Sequence, residues 1–125
     1  MYHLLLVCAG GALGAGLRHL TVSTVSRIIG PAFPWGTLAV NLAGCLVMGL
    51  LAGVLGRKFD VPDEVRLFLA TGVLGGFTTF SAFSLDVAVL WERGAQAAAA
   101  SYVLASVTGS ILALFAGLWL ARSIL

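Results

Sequence analysis

The sequence predicts an all-α membrane protein in which four helices cross the bilayer and the third is broken near its centre. Hydrophobic residues make up 60% of the 125 residues and charged residues only 10%, whereas a soluble domain carries about 25% charged residues. Charged residues and prolines divide the chain into four apolar segments, and each reaches the roughly 20 residues that a helix needs to cross the hydrocarbon core. We therefore expect a single transmembrane domain over residues 1–125.

The first two transmembrane helices are predicted at about residues 4–29 and 35–56. No lysine or arginine precedes the first apolar stretch, so we expect a membrane-spanning helix there and not a cleaved signal peptide. Glycines recur in both segments at the G-x-x-x-G spacing, which lets two helix backbones approach closely in lipid. They are Gly10 and Gly14 in the first segment, and Gly49 and Gly53 in the second.

The last two transmembrane helices are predicted at about residues 65–91 and 95–121, with a charged turn between them. The third is expected to break over residues 75–81, because Gly costs about 1 kcal/mol relative to Ala inside a helix and Thr loses rotamer freedom there. Non-helical backbone at membrane depth is tolerated only where it is buried in protein or lines a wet cavity. The break therefore indicates a functional site.

A broken helix also frees backbone carbonyls from their partners four residues along the chain. The carbonyls of Gly75 and Thr78, doubled by a two-fold axis, are candidates for an oxygen cage that holds a monovalent cation. The alternative is a hydrogen-bonded loop without any ion.

The distribution of positive charge predicts insertion in both orientations. Short connections make neighbouring helices antiparallel, so both termini and the middle loop share one side of the membrane. Arg57, Lys58, Arg66 and Arg122 fall on that side, and Arg18, Arg27 and Arg93 towards the other. This difference is too small to fix an orientation. We expect an antiparallel homodimer, whose site would lie near the midplane where the copies meet.

Polar residues within the predicted helices mark candidate pathway positions, because such residues are costly in a membrane. Thr37 and Asn41 are four residues apart and share one helix face. Asn41 is compatible with an interhelical hydrogen bond or with amide donation to an anion, and the residue alone does not decide between them. Tyr102, Ser106 and Ser110 form a stripe of O–H donors along the fourth helix, which suits either a small anion or a polar packing seam.

Two aromatic and two charged residues complete the candidate site. Phe80 and Phe83 flank the break, and the positive edge of an aromatic ring can face an anion without adding charge; packing or lipid contact is the alternative. Arg18 is either a buried charge or a snorkelling anchor. Asp86 lies about one turn beyond Phe83, where it either lines a vestibule or faces water.

Several classes of function are disfavoured. A net charge of +2 gives no indication of a nucleic-acid partner. We expect no enzyme, since no nucleophile–base pair or metal-ligand cluster stands out. A small dual-topology drug exporter remains the main alternative, although none of the five acidic residues lies at the centre of a span. A membrane assembly subunit would explain the glycines but not the hydroxyl stripe or the broken helix.

The motifs together resemble those of the Fluc-type (CrcB-like) fluoride ion channels, over almost the whole chain. The matching residues are Gly10-Gly11, Gly14-Ala15 and Arg18 in the first helix, Trp35-Gly36-Thr37-Leu38, Val40-Asn41 and Gly44 in the second, and GGFTTFSAFS at 75–84 in the third. The resemblance implies a dual-topology homodimer with two antiparallel pores. It implies passive, chloride-excluding export of fluoride across the bacterial inner membrane, with lipid and a second copy as partners.

The resemblance also assigns expected roles to individual residues. Those expected along the fluoride pathway are Asn41, Phe80, Phe83, Thr37, Tyr102, Ser106 and Ser110. The carbonyls of Gly75 and Thr78 would hold a central structural sodium ion. Arg18 matches the arginine of the family's first helix, and Asp86 stands where relatives often carry Glu.

Overall fold

Helices form all the regular structure in residues 1–57 and 60–125, the part of the chain that the computed structural model describes. Three crossings are continuous: α1 (Tyr2–Ile29), α2 (Trp35–Leu55) and α6 (Gln96–Ile124). The other crossing contains α3 (Asp63–Arg66), a π-helical segment (Leu67–Leu74), α4 (Gly75–Phe77) and α5 (Ser81–Glu92). All four crossings are long and apolar enough to span a bilayer, which confirms the predicted all-α fold class. Lys58, included in the charge comparison, lies outside the described residues.

Glycines set the spacing of the helices, as their pattern predicts. A Cβ added to Gly49 would collide with the carbonyl oxygen of Leu114, and one added to Gly117 would collide with that of Leu46. Helices α2 and α6 are therefore in backbone contact, with Gly53 facing Ala121 further along the same seam. In lipid, where apolar burial does not drive helices together, such close packing supplies much of the association energy.

A second glycine seam joins α1 to the third crossing. A Cβ on Gly10 would lie 2.5 Å from the Phe68 carbonyl oxygen, and one on Gly76 would lie 2.6 Å from that of Gly11. Gly14 faces the Val73 carbonyl just as tightly. The π-helical segment lies in this seam. The sequence predicted a helix there, and its i→i+5 hydrogen bonding is a feature that the apolar pattern does not indicate.

Two side-chain contacts tie the ends of the helices together. The His3 Nε2 and Glu64 Oε1 atoms are 3.8 Å apart, so the start of α1 lies beside the start of the third crossing. At the opposite end, Arg93 Nη2 donates to the Ala32 carbonyl oxygen at 2.6 Å. The loop after α1 and the turn after α5 therefore meet on one side, as antiparallel neighbours require.

Candidate functional site

The break in the third crossing is confined to three residues. The helix continues through Phe77, because the Thr78 N–H still donates to the Leu74 carbonyl at 3.0 Å. The non-helical stretch is thus shorter than the predicted 75–81. Thr78 then turns to extended backbone (φ −84°, ψ 160°) and α5 begins at Ser81.

Thr79 caps the helix that follows the break. Its Oγ1 accepts a hydrogen bond from the Ala82 N–H at 3.0 Å, which satisfies one of the donors that every helix start leaves without a partner. The Thr79 side chain is buried. The restart of the helix is therefore stabilised by a hydrogen bond made within the protein.

Asn41 on α2 holds the break from the neighbouring helix. Its Nδ2 donates to the Thr79 carbonyl oxygen at 3.0 Å, and its Oδ1 accepts from the Thr79 N–H at 2.8 Å. Both backbone groups of one non-helical residue are thereby satisfied. Because an amide nitrogen carries two hydrogens, one N–H of Asn41 remains for another acceptor. The interhelical hydrogen bond considered from the sequence is present, and it leaves room for the donor role.

Because of the hydrogen bonds around Thr79, two backbone carbonyl groups lack the N–H donors that they would have in a regular α-helix. In a regular α-helix, the Gly75 carbonyl would accept from Thr79 and the Thr78 carbonyl from Ala82. Here the Thr79 N–H donates to Asn41 and the Ala82 N–H to the Thr79 hydroxyl. Gly75 is also exposed on the surface of the protomer. Two carbonyls are too few to enclose a cation, but a second copy related by a two-fold axis would double them, so this donor set fits the expected ion.

A groove of about 290 Å³ runs from the break along α2 and α6. It brings together five of the predicted pathway residues, which are Asn41, Phe80, Phe83, Ser106 and Ser110. The Ser106 side chain is 5% exposed, and its Oγ has no hydrogen-bond partner among the described residues. A buried hydroxyl without a hydrogen-bond partner is uncommon in proteins. Its position beside the groove favours the binding of a small polar ligand there.

Phe80 and Phe83 occupy very different environments although their ring centroids are only 5.4 Å apart. Phe83 is 7% exposed, whereas Phe80 is 75% exposed and projects from the protomer. Phe83 also packs on the Tyr102 ring, with centroids 5.1 Å apart. One ring is thus fixed in the protomer, and the other is available to a neighbouring surface.

Tyr102 and Thr37 lie outside this groove. The Tyr102 hydroxyl donates to Asp86 Oδ2 at 2.9 Å, and its ring is fully buried. Thr37, also buried, lines a second groove of about 240 Å³ together with Asp86 and Arg93. Asp86 therefore has a defined partner inside the protein. The hydroxyl stripe along α6 divides, with its serines facing the groove and its tyrosine facing Asp86.

Arg18 lies in a third groove, of about 500 Å³, between α1 and α5. Thr37, Thr79 and Ser81 line the same groove. Within the described part of the chain, no carboxylate lies within 4.0 Å of the Arg18 guanidinium. This groove reaches the same Thr79 that borders the first groove, so a positive charge stands on one approach to the break.

Sequence reasoning missed two residues of the site. The capping role of Thr79 is signalled only by its position three residues before Ala82, inside a run that already looked irregular. Cys45 lines the groove, and it follows Asn41 by four residues on α2, a spacing that would have placed it on the same face.

The comparisons with known proteins assign the chain to a class. The family model described as "CrcB-like protein, Camphor Resistance (CrcB)" matches residues 5–118 of the chain. This match covers the four membrane-spanning segments, including the broken third one. The chain belongs to this family and is a multi-pass membrane protein.

Full-length relatives carry a more specific name. The chain is 75% identical to a protein of Chelativorans sp. (strain BNC1) over 125 residues, which is 100% of both chains. It is 60% identical to a protein of Mesorhizobium japonicum and 52% identical to one of Agrobacterium fabrum, each over 124 residues and 99% of both chains. All three relatives are named "Fluoride-specific ion channel FluC".

Proposed function

We propose that this protein is a fluoride-selective channel that lets fluoride leave the cell passively across the bacterial inner membrane. The observation that carries the proposal is the groove in which Asn41, Ser106 and Ser110 face Phe80 and Phe83. It offers neutral N–H and O–H donors beside aromatic rings. Relatives that match the chain from end to end bear the name of that activity.

Neutral donors suit the passage of a small, strongly hydrated anion. A pore must replace the hydration shell well enough to admit the ion and weakly enough to release it. The hydroxyl of Ser106 and the remaining N–H of Asn41 can each donate to fluoride, and the positive edge of Phe83 adds attraction without a fixed charge. Arg18, beside the break, would raise the local anion concentration without entering the groove.

The working unit would be an antiparallel homodimer with two pores. Phe80 lines the groove of its own protomer, yet 75% of its surface is exposed, which suits contact with the second copy at the rim of the groove. The exposed Gly75 and the carbonyl of Thr78 would meet their symmetry mates at the midplane. There the carbonyls would hold a monovalent cation, which we take to be sodium and which supplies a fixed positive charge at the centre of the dimer. We expect no catalytic activity.

The roles of the two phenylalanines can be tested with purified protein in liposomes. Fluoride efflux from liposomes loaded with potassium fluoride is followed with an electrode for the wild type, Phe80→Ile and Phe83→Ile, with valinomycin present so that K⁺ balances the charge. We expect the efflux rate of each variant to fall by more than about tenfold, which corresponds to an increase of about 1.4 kcal/mol in the free-energy barrier to conduction. Cross-linking should still detect the dimer. Leu104→Ile, at an exposed position on α6, is the matched control and should conduct normally. Unchanged efflux in both phenylalanine variants would remove the rings from the pathway.

A further inference from the structure

Cys45 is the polar residue of the groove to which the proposed conduction mechanism gives no role. It lies one helical turn after Asn41, is half-buried, and lines the groove with Ser106 and Ser110. The chain has one other cysteine, Cys8, which lies on an exposed part of α1 and does not line this groove. The two thiols therefore provide a natural comparison between a groove position and a surface position.

The unpaired hydroxyl of Ser106 indicates that a small molecule can bind in the groove beside Cys45. The Ser106 hydroxyl borders the same groove, is almost completely buried, and has no hydrogen-bond partner among the described residues. A polar group left unpaired in this way favours occupation of the adjacent space by something that accepts or donates a hydrogen bond. The groove, at about 290 Å³, has room for a small molecule beside the thiol.

We infer that Cys45 is a covalent modification site for small, uncharged reagents that form disulfides, and that its modification obstructs the groove. An uncharged reagent is neither attracted nor repelled by Arg18 or by the proposed central cation. It needs only to fit the opening. The consequence for conduction rests on the proposed fluoride channel, whereas the modification itself does not.

The reaction balances with methyl methanethiosulfonate as the reagent. The Cys45 thiol gives its proton to water, and the resulting thiolate attacks the sulfenyl sulfur of the reagent. A disulfide forms between Sγ and the methylthio group. The bond between the sulfenyl and sulfonyl sulfurs breaks, and methanesulfinate leaves with the electron pair. The cysteine is oxidised and the sulfonyl sulfur is reduced, so no other oxidant is required.

The test uses the full-length protein reconstituted in liposomes, with each sample compared with its own untreated efflux. The wild type and Cys8→Ser should lose most of their fluoride efflux after treatment with the reagent, and dithiothreitol should restore it. Cys45→Ser should keep the efflux that it shows before treatment. Peptide mass spectrometry should find the methylthio group on Cys45.

Three outcomes would overturn the inference: an unlabelled Cys45, a labelled Cys45 with undiminished efflux, or equal inhibition of Cys45→Ser. The mass measurement separates this inference from the proposed function. If untreated wild-type protein passes no fluoride, the channel proposal fails. An unlabelled Cys45 would then overturn the modification site as well, and a labelled Cys45 would support it.

Discussion

Replacing Asn41 by Ala should destabilise the protein through the break and not through lost packing alone. The substitution removes both hydrogen bonds to Thr79, at 3.0 and 2.8 Å. The Thr79 N–H and carbonyl then have no helical partner to which they can return, because Thr78 is extended. An unsatisfied buried group costs about 1–3 kcal/mol, which gives about 2–6 kcal/mol for the pair. Two interhelical hydrogen bonds at the membrane average of about 0.6 kcal/mol each would account for only about 1.2 kcal/mol. Because the substitution also leaves two backbone groups without partners, we expect a loss near the lower end of the first range, about 2 kcal/mol.

The measurement is the free energy of unfolding in mixed micelles, with wild type and variant at equal protein concentration because dimer stability depends on it. Ser101→Ala is the control, since the Ser101 hydroxyl bonds within its own helix to the Ala97 carbonyl at an exposed position. We expect the control to change stability by less than about 0.5 kcal/mol. Equal losses in Asn41→Ala and Ser101→Ala would refute the view that Asn41 holds the break.

Three further predictions concern packing, the second groove and orientation. Gly49→Ala places a methyl group against the Leu114 carbonyl and should lower the folded yield and the free energy of unfolding. Gly16→Ala, whose methyl group meets nothing within 4 Å, should be neutral. Similar losses in both variants would contradict the claim that close packing at Gly49 holds α2 against α6. Tyr102→Phe removes the donor to Asp86 and should cost about 1.5–3 kcal/mol in the same unfolding assay, and an unchanged value would show that water replaces the bond. Tags on the chain termini should be accessible from both faces of the membrane, and labelling from a single face would rule out dual insertion.

The sequence predicted the helical crossings well because several independent features of the chain indicate them. Long apolar runs, short connections and paired glycines each constrain the fold without reference to distant contacts. The first and third crossings begin two residues before the predicted 4 and 65, and the fourth ends three residues after the predicted 121. The close approach of another helix at Gly49 likewise follows from the spacing, whereas the partner, α6, is known only from the structure.

The π-helical segment was not predicted from the sequence, and the short extent of the break depends on a neighbouring helix that a linear pattern does not reveal. The break was predicted over 75–81 from unfavourable residues, yet Gly75–Phe77 remains helical. Where the helix ends is decided by Asn41, which lies 38 residues before Thr79. Once that contact is known, the freed carbonyl of Gly75 follows directly, and that of Thr78 follows from the cap that Thr79 forms with Ala82.

The residues of the candidate site were predicted individually, but the way in which they are arranged in space was not. Asn41, Phe80, Phe83, Ser106 and Ser110 share one groove. Tyr102 belongs to the same helical stripe, yet its hydroxyl donates to Asp86, because a long side chain carries its polar atom to a partner that spacing along α6 cannot identify. The roles of these residues in conduction, the central cation and the dimer remain predictions.

If the neutral, donor-lined groove is the conduction pathway, the protein passes fluoride and excludes chloride. The most direct test loads liposomes containing only the purified wild-type protein with the potassium salts of both anions, adds valinomycin so that outgoing K⁺ balances the charge, and follows each anion with its own electrode. We expect rapid fluoride efflux, far above that of protein-free vesicles, while chloride is retained. Vesicles that keep their fluoride, or that release both anions at the same rate, would contradict it.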